Sequence, residues 1–445
     1  MNTNTLVSTE YQKFWSDPGL QSRIDEGIRR NRQSDAVIRT MDFTGKPMPG
    51  VKVRVSQHDS PFHFGANLFK LDGYPLDELN RKYEEAFCAL FNGATIPFYW
   101  RTLEPEQGRP RFGIHSVPIA RRPPPDKTVK FCEERGLRMH GHTLVWNFRK
   151  WSVPDWLPEE PDKAAPLWEK RIAEIATRYG GRIKRWDVLN EPVAFYDRTP
   201  RGIRMQDDYE GKSFDWAATH FPSDVRFDVN EITPAWTPDE IDGWTNKMGD
   251  LTHLLERLRS TKRRVGGIGL QFHFFSDTDL AKVLAGQIYT PKILLNALDH
   301  YARFELPLHV SEITLTSPGN SPEGLEAQAI VARNFYRLWF SHPTVDSITW
   351  WNLPDGGAAP GENKVYSGLL FEDMRPKPSY RVLQNLIRHE WRTQAEGVTD
   401  ADGCFRFRGF HGSYVIRTES GNVDSGIQSS ITLEAGKTAE QRIHL

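Results

Sequence analysis

Residues 185–192 read RWDVLNEP, and residues 308–313 read LHVSEI. Each stretch is a short run rich in apolar residues that leads into a glutamate, Glu191 in the first and Glu312 in the second. Runs of this length, bounded by polar residues, are typical of buried strands in a parallel sheet. In a barrel of parallel strands, the residues at the carboxyl ends of the strands build the active face. The two glutamates are therefore candidates for one common site.

The same pattern occurs eight times between residues 58 and 392, where strand candidates alternate with helical segments. This alternation predicts an α/β fold, a (β/α)8 TIM barrel. The predicted strands are 62–67, 94–100, 138–146, 185–190, 226–230, 265–273, 308–312 and 347–351. The segments between them are long enough for crossover helices.

Both ends of the chain carry short alternating segments outside the barrel pattern. Residues 36–39 and 51–55 flank a Gly/Pro turn and predict a β-hairpin. Because the few C-terminal strands are too short to form a two-layer core alone, we expect them to join this hairpin in one small accessory β-sandwich. The predicted domains are 1–57 (N-terminal helix and hairpin), 58–392 (catalytic barrel) and 393–445 (C-terminal strands of the accessory module).

Composition excludes several classes of partner. The net charge of −1, with acidic and basic residues mixed along the chain, argues against nucleic acid or an anionic membrane as a partner. No segment has the apolar length of a membrane span, and no secretory signal is visible, so no compartment is predicted. The three cysteines lie far apart without a CxxC pair, which argues against a disulfide framework or a zinc–thiolate site. The 14 tryptophans suit either a large core or the flat apolar faces of sugars.

Two carboxylates that face one pocket are suited to cleavage of a glycosidic bond. One must be protonated to donate to the leaving oxygen, and the other must be ionised to attack or stabilise the anomeric carbon. The fourth and seventh strands of a barrel lie across from each other, so Glu191 and Glu312 can flank a substrate bond. A single glutamate at a strand end is more often a salt-bridge partner, but two such residues in one setting favour catalysis.

Six segments in sequence order resemble glycoside hydrolase family 10, the xylanase family, over roughly residues 58–390. They are GHTLVW at 141–146, WDVLNE at 186–191, GIGLQFH at 267–273, VSEI at 310–313, Trp351 with Asp355 after it, and LLF at 369–371 leading to PKPSY at 376–380.

The resemblance implies a retaining hydrolase of oligo- or polysaccharides that needs no metal or cofactor. Glu191 would be the acid/base and Glu312 the nucleophile, with His273 bonded to Glu312. The residues implied to line the glycone side are His142, Trp146, Asn190, Gln271, His273 and Trp351. We expect a monomer, and members of the family are usually exported.

The sequence departs from the family pattern at the second, third and eighth strands. Tyr99 and Ile96 stand where the family has a sugar-binding lysine and asparagine, and Asn147 replaces a histidine. Glycine and alanine at 356–359 occupy the region of a second tryptophan. We therefore add Tyr99, Trp100 and Asn147 to the substrate-binding candidates. The expected substrate is a xylan-type or decorated xylan chain, with a non-xylan β-glycoside as the alternative.

Three other interpretations remain open. His140 and His142 have the H-x-H spacing of a metal pair, and His273 and Asp355 could complete such a site. Glu231 also follows a predicted strand and an asparagine, so it could be the acid in place of Glu191. A sugar-binding barrel without turnover is the third possibility.

Overall fold

The computed structural model describes residues 6–240, 243–362, 365–419 and 428–445. The chain forms two compact units. The first comprises the chain up to Phe14, His63–Ala332 and Thr344–Tyr380, and the second comprises Trp15–Phe62, Arg333–Pro343 and Arg381–Leu445. No helix among the described residues has the length and apolar character that a membrane crossing requires.

The strands in chain order are β1 (Gln33–Met41), β2 (Lys52–Gln57), β3 (His63–Asn67), β4 (Gly93–Pro97), β5 (Arg138–His142), β6 (Arg185–Asn190), β7 (Arg226–Glu231), β8 (Gly267–His273), β9 (Leu308–Thr314), β10 (Val345–Trp350), β11 (Gln394–Val398), β12 (Cys404–Phe410), β13 (Gly412–Glu419), β14 (Gln428–Leu433) and β15 (Ala439–His444). The α-helices are Thr9–Trp15, Pro18–Arg32, Asp77–Leu90, Trp100–Leu103, Pro125–Arg135, Pro161–Tyr179, Tyr209–His220, Lys247–Ser260, Asp277–Leu284, Pro291–Ala302, Pro322–Ser341 and Pro378–Asn385. Short 3₁₀ turns cover Pro192–Ala194, Tyr196–Arg198, Thr233–Trp236 and Pro318–Asn320, and Leu386–Glu390 is a π-helical turn.

Strands β3 to β10 close into a parallel barrel, which confirms the predicted TIM-barrel fold. The strands are buried on both faces, as parallel strands covered by helices must be, and every residue of β6 and β9 is buried. Two strands end three or four residues earlier than predicted. β4 ends at Pro97, which has no N–H to continue the ladder, and a short helix then begins at Trp100. β5 ends at His142.

The strand register brings polar side chains together at the carboxyl ends of the barrel. Asn190 of β6 pairs with Asn230 of β7. Gln271 of β8 pairs with Glu312 of β9, beyond a register shift that follows Leu270. These pairs lie at the end of the barrel where the sequence predicts the site.

The second unit contains a three-stranded sheet, β12-β1-β15, and a four-stranded sheet, β11-β2-β13-β14. Their apolar faces share one buried cluster, which includes Ile38 of β1 and Val55 of β2, so the two sheets form a sandwich. The predicted hairpin is wrong, because β1 and β2 belong to different sheets. The connection between them is long enough to cross from one sheet to the other, and the crossing buries the apolar residues of both strands in the same core.

Candidate active site

A cleft of about 620 Å³ lies at the carboxyl ends of the barrel strands, and both Glu191 and Glu312 line it. Seven of the predicted substrate-binding residues also line this cleft, namely Tyr99, His142, Trp146, Asn190, Gln271, His273 and Trp351. Residues that are distant in sequence therefore converge on one concave surface.

Glu191 lies directly after β6, where the chain turns sharply. Its backbone adopts left-handed angles, φ 54° and ψ 44°, between the strand and the 3₁₀ turn that begins at Pro192. A non-glycine residue in this region costs roughly 1–2 kcal/mol. The Glu191 N–H donates to the carbonyl oxygen of Asn230 at 2.7 Å, which stabilises the turn. The turn holds the partly buried side chain at the cleft surface.

The Glu191 carboxyl group accepts two hydrogen bonds from side chains. The hydroxyl of Tyr196 donates to Oε2 at 2.7 Å, and Nε2 of Gln271 donates to Oε1 at 2.9 Å. Burial raises the pKa of Glu191 and outweighs these two hydrogen bonds, which lower it. The negative charge of Glu312 raises the pKa further. A carboxyl group in this environment holds its proton to a higher pH than a free glutamate.

Glu312 is buried in β9 and faces hydrogen-bond donors. Nδ2 of Asn230 donates to Oε1 at 2.7 Å, and Nε2 of His273 lies 3.3 Å from Oε2. Nε2 of His142 lies 4.0 Å from Oε1. These groups stabilise the negative charge on the carboxylate, and the predicted bond between His273 and Glu312 is present.

His142 is held by a buried carboxylate behind it. Its Nδ1 lies 2.8 Å from Oδ2 of Asp187, and its Nε2 lies 3.1 Å from the hydroxyl of Tyr99. Burial acts to lower the pKa of His142, but the hydrogen bond to Asp187 and the negative charge of Glu312 outweigh it, so the pKa is raised. Asp187 thereby fixes the orientation of the imidazole at the cleft floor.

Aromatic side chains form one connected cluster at the cleft, which includes Tyr99, Trp146, Tyr196 and Trp351. The buried ring of Phe69 packs edge-on against Trp351 and Tyr99, with ring centroids 5.1 and 5.7 Å apart. Phe148 stacks on Tyr196 at 4.4 Å. Apolar rings beside polar side chains suit the C–H faces and hydroxyl groups of a sugar.

Two of the predicted substrate-binding residues are outside the cleft. Trp100 is only 1% exposed, donates its indole N–H to Glu104 and packs against Trp156 and Trp168, because it begins the helix after β4 and its ring points into the core. Asn147 is buried as well, and its Nδ2 is 3.5 Å from the carbonyl oxygen of Ile203. Assigning these two side chains to substrate was wrong.

Several residues of the site were missed in the sequence, and four of them carry polar groups that the following proposals use. Asn230 donates both to Asn190 and to Glu312, and Tyr196 bonds Glu191. Arg121 and Arg122 reach the cleft from the long connection after β4. Asn230 lies near the end of a predicted strand, so its place in the site could have been predicted. The sequence of a long loop does not indicate that its residues return to the cleft.

The residues nominated for a metal have other partners. His140 and His142 both contact Asp187, at 3.0 and 2.8 Å, and Asp355 accepts from Lys377 at 2.7 Å. A separate buried trio, His140, Asp228 and His309, brings its ligand atoms within 4.8 Å of one another. Asp228 already accepts from the Nε atoms of Arg185 and Arg226 at 2.6 and 2.7 Å. The two guanidinium groups oppose a cation there, so Asp228 is the buried ionic partner of these arginines inside the barrel.

Glu231, the alternative acid, is fully buried beneath the turn that carries Glu191. It accepts the backbone N–H of Val193 at 2.9 Å and of Ile232 at 2.8 Å. Burial raises the pKa of Glu231 to about 8. Because Glu231 is not among the cleft-lining residues and bonds the backbone on both sides, it supports the loop around Glu191.

Comparison with known proteins identifies the family. The family model described as glycosyl hydrolase family 10 matches residues 98–386, well over half of the chain. The chain belongs to glycosyl hydrolase family 10. The match covers both cleft glutamates and all the strands from β5 to β10. The resemblance read from six short motifs is thereby confirmed.

The individual relatives are distant in sequence. Endo-1,4-beta-xylanase B from Thermotoga neapolitana is 26% identical over 322 residues, covering 69% of this chain and 84% of that protein. Anti-sigma-I factor RsgI6 from Acetivibrio thermocellus is 26% identical over 420 residues, covering 93% of this chain and 48% of that protein. The chain spans about a third of the length of endo-1,4-beta-xylanase 2 from Arabidopsis thaliana, 32%.

Solved structures agree on the fold. Native xylanase 10B from Thermotoga maritima has a TM-score of 0.59 at 24% identity, covering 74% of this chain and 96% of that one. Xylanase 10B from Thermotoga petrophila in complex with xylobiose also has a TM-score of 0.59, at 23% identity. At these identities the likeness shows the barrel fold alone.

Proposed function

We propose that this family 10 barrel is a retaining glycoside hydrolase that cleaves β-linked chains of the xylan type, with Glu312 as nucleophile and Glu191 as acid/base. The observation that carries the proposal is the contrast between the two carboxyl groups of one cleft. Burial and the charge of Glu312 favour the protonated form of Glu191, while Glu312 accepts from Asn230 and faces His273. Two carboxyl groups in such different environments suit an acid and a nucleophile.

In the first step an oxygen of Glu312 attacks the anomeric carbon while the bond to the leaving oxygen breaks. Glu191 transfers its proton to that oxygen, and the aglycone departs as an alcohol. In the second step Glu191, now ionised, removes a proton from water, and the water oxygen displaces Glu312 from the anomeric carbon. Glu312 leaves as a carboxylate and Glu191 is protonated again. Two inversions give net retention.

The change of role by Glu191 follows from the charge on its partner. In the free enzyme the negative charge of Glu312 raises the pKa of Glu191. Formation of the ester removes that charge, so the pKa of Glu191 falls and the group becomes a base when a base is needed. Gln271 and Tyr196 hold its two oxygens in place through both steps.

The substrate assignment depends on the relatives and on the cleft walls. The relatives include several proteins named endo-1,4-beta-xylanase, and a cluster of aromatic rings lies at the cleft. Tyr99 stands where the family resemblance expects a lysine, so the glycone side is built for a different set of contacts. We therefore propose a substituted xylan chain, rather than plain xylan, as the substrate.

Substrate panels test this proposal. We expect turnover of aryl β-xylosides or β-xylobiosides above the matching β-glucosides, and release of products from decorated xylan that exceeds release from plain xylan. Retention is checked by following the anomeric form of the first product. No turnover on any β-xyloside or β-glucoside would contradict the proposal and support a sugar-binding barrel without catalysis.

Replacement of Tyr196 by phenylalanine is expected to shift the pH profile. The Tyr196 hydroxyl lowers the pKa of Glu191, so its loss raises that pKa and extends the protonated, active form to higher pH. The basic limb of kcat/KM should therefore move upward by up to about one pH unit, the equivalent of one hydrogen bond. Tyr74→Phe removes a buried hydroxyl outside the cleft lining and should leave the limb in place. A downward shift in Tyr196→Phe would contradict the assignment.

A further inference from the structure

Arg121 and Arg122 bring two positive charges to the cleft from the connection between β4 and the helix Pro125–Arg135. Arg121 is fixed in place, because its Nη1 donates to Oδ1 of Asn352 at 3.1 Å and to the carbonyl oxygen of Gly357. The side chain of Arg122 donates from Nη1 to the carbonyl oxygen of Arg121 at 2.8 Å. The pair is thus held rigidly at the cleft and is not a flexible surface feature.

The guanidinium groups lie on aromatic rings. Arg122 sits 3.9 Å from the ring centroid of Tyr99 and 5.0 Å from that of Phe69, and Arg121 sits 5.5 Å from Phe69. Stacking of this kind occupies the face of a guanidinium and leaves its edge N–H groups available for a planar acceptor. Nε of Arg122 is buried and has no hydrogen-bond partner among the described residues.

Among the described residues, no carboxylate directly contacts the two guanidinium groups. Burial lowers the pKa of Arg122 to about 10, with the neighbouring Arg121 adding to the effect, so it remains protonated at neutral pH. Within the part of the chain that the structure describes, neither guanidinium forms an ion pair within 4.0 Å. Glu362 acts on both from a greater distance. Two desolvated like charges side by side favour the binding of an anion.

The pair is connected to the proposed nucleophile through Tyr99 and His142. The hydroxyl of Tyr99, beneath Arg122, is 3.1 Å from Nε2 of His142, and this nitrogen is 4.0 Å from Oε1 of Glu312. Phe69, beneath both arginines, packs against Trp351. The arginines thus lie beyond His142 and Tyr99 as seen from Glu312, on the side of the cleft that the family resemblance assigns to the glycone.

We propose that Arg121 and Arg122 bind the carboxylate of a uronic acid substituent carried by the glycone part of the substrate. A carboxylate matches the planar fork of a guanidinium, accepts two hydrogen bonds and supplies the missing negative charge. The substrate class would then be acidic, uronosyl-substituted β-glycans of the xylan type. This inference rests on the proposed function for the orientation of the glycone, although binding can be measured without turnover.

Calorimetric titration tests the inference directly. The full chain carrying Glu312→Ala is titrated with a neutral xylo-oligosaccharide and with oligosaccharides of the same length that carry one glucuronosyl group at successive units. We expect at least one acidic ligand to bind about 10- to 100-fold more tightly than the neutral ligand, the range for hydrogen bonds to a charged group. Arg122→Gln in the same background should bring the two affinities together.

Arg109→Gln is the matched control. Arg109 lies on the same connection and pairs with Glu106 in solvent with 77% of its side chain exposed, and it is not a cleft-lining residue. The substitution removes the same charge and should preserve the preference for the acidic ligand. Equal loss of this preference in Arg109→Gln and Arg122→Gln would overturn the inference, because the net charge of the protein would then explain the preference for the acidic ligand.

Salt dependence provides a test that requires no change at the arginines. The preference for the acidic ligand in the Glu312→Ala protein should decrease as sodium chloride increases, while neutral binding stays constant. Equal affinities for acidic and neutral ligands at low salt would overturn the inference even if the enzyme hydrolyses xylan. Preferential binding in a protein whose unmutated form hydrolyses nothing would instead reject the proposed function and keep the arginine site.

Discussion

Glu312→Ala is expected to lose at least about 10⁴-fold in kcat on every substrate, including aryl glycosides with good leaving groups. The loss is general because no other described side chain occupies the position that accepts from Asn230 and faces His273 and His142. Losses of this size are typical when the attacking group of a covalent mechanism is removed. Initial rates on activated aryl β-xylosides, with thermal melting to confirm the fold, measure the effect.

Added azide distinguishes a missing nucleophile from a disturbed site. In Glu312→Ala a small anion can enter the space of the lost carboxylate and attack the β-glycoside once, so the product should be the α-glycosyl azide. Recovery of rate with that product supports the assignment. Retention of more than about a tenth of the activity without azide would contradict it, as would a β-azide product.

Glu191→Gln is expected to slow substrates selectively according to their leaving group. Substrates whose aglycone is a poor leaving group need the proton, so their rate of cleavage should fall by about 10²- to 10⁴-fold. This is the usual contribution of general acid catalysis. Activated aryl leaving groups depart without protonation, so the rate of the first step should fall far less for substrates that carry them. A series of aryl β-xylosides with graded phenol pKa measures this as a steeper dependence of kcat/KM on the leaving group.

Glu231→Gln is the matched comparison for that series. Glu231 is a buried glutamate one strand away that binds the N–H groups of Val193 and Ile232. Its replacement can reduce activity or stability, but it should leave the leaving-group dependence unchanged. A steep dependence in Glu231→Gln with a normal one in Glu191→Gln would transfer the acid role to Glu231.

The barrel and its two glutamates were predictable because burial leaves a local trace. Every residue of β6 is buried, and a largely apolar run such as WDVL predicts a strand from its own residues. In a parallel barrel the residue after this strand, Glu191, then lies at the active face. The same reasoning applied to β9 predicts Glu312 as a site residue, and the order of the six motifs indicates the family.

The errors arise where the local pattern is the same for two different structures. Alternating residues in β1 and β2 predict strands correctly, but the alternation cannot tell a hairpin from two strands in facing sheets. Trp100 follows a strand and is aromatic, yet Pro97 ends the ladder early and the residue turns into the core. The side-chain direction after a strand depends on how the chain leaves the sheet.

The remaining site residues depend on tertiary contacts that the sequence does not display. Arg122 is 23 residues beyond Tyr99 in the chain, and only the path of the loop brings the two together. Tyr196 bonds Glu191 because the 3₁₀ turns after Pro192 reverse the chain over the carboxyl group. The expected monomeric state stays a prediction.

Trapping of the glycosyl-enzyme tests the central assignment most directly. The fluorine of a 2-deoxy-2-fluoro-β-xyloside or β-xylobioside slows both steps of the reaction. An activated leaving group restores the rate of the first step only, so the covalent intermediate accumulates. Mass spectrometry of the digested protein should then find one sugar attached to the peptide that contains Glu312. Attachment to Glu191 or Glu231, or hydrolysis of an ordinary β-glycoside to the inverted anomer with no adduct, would contradict the double-displacement account.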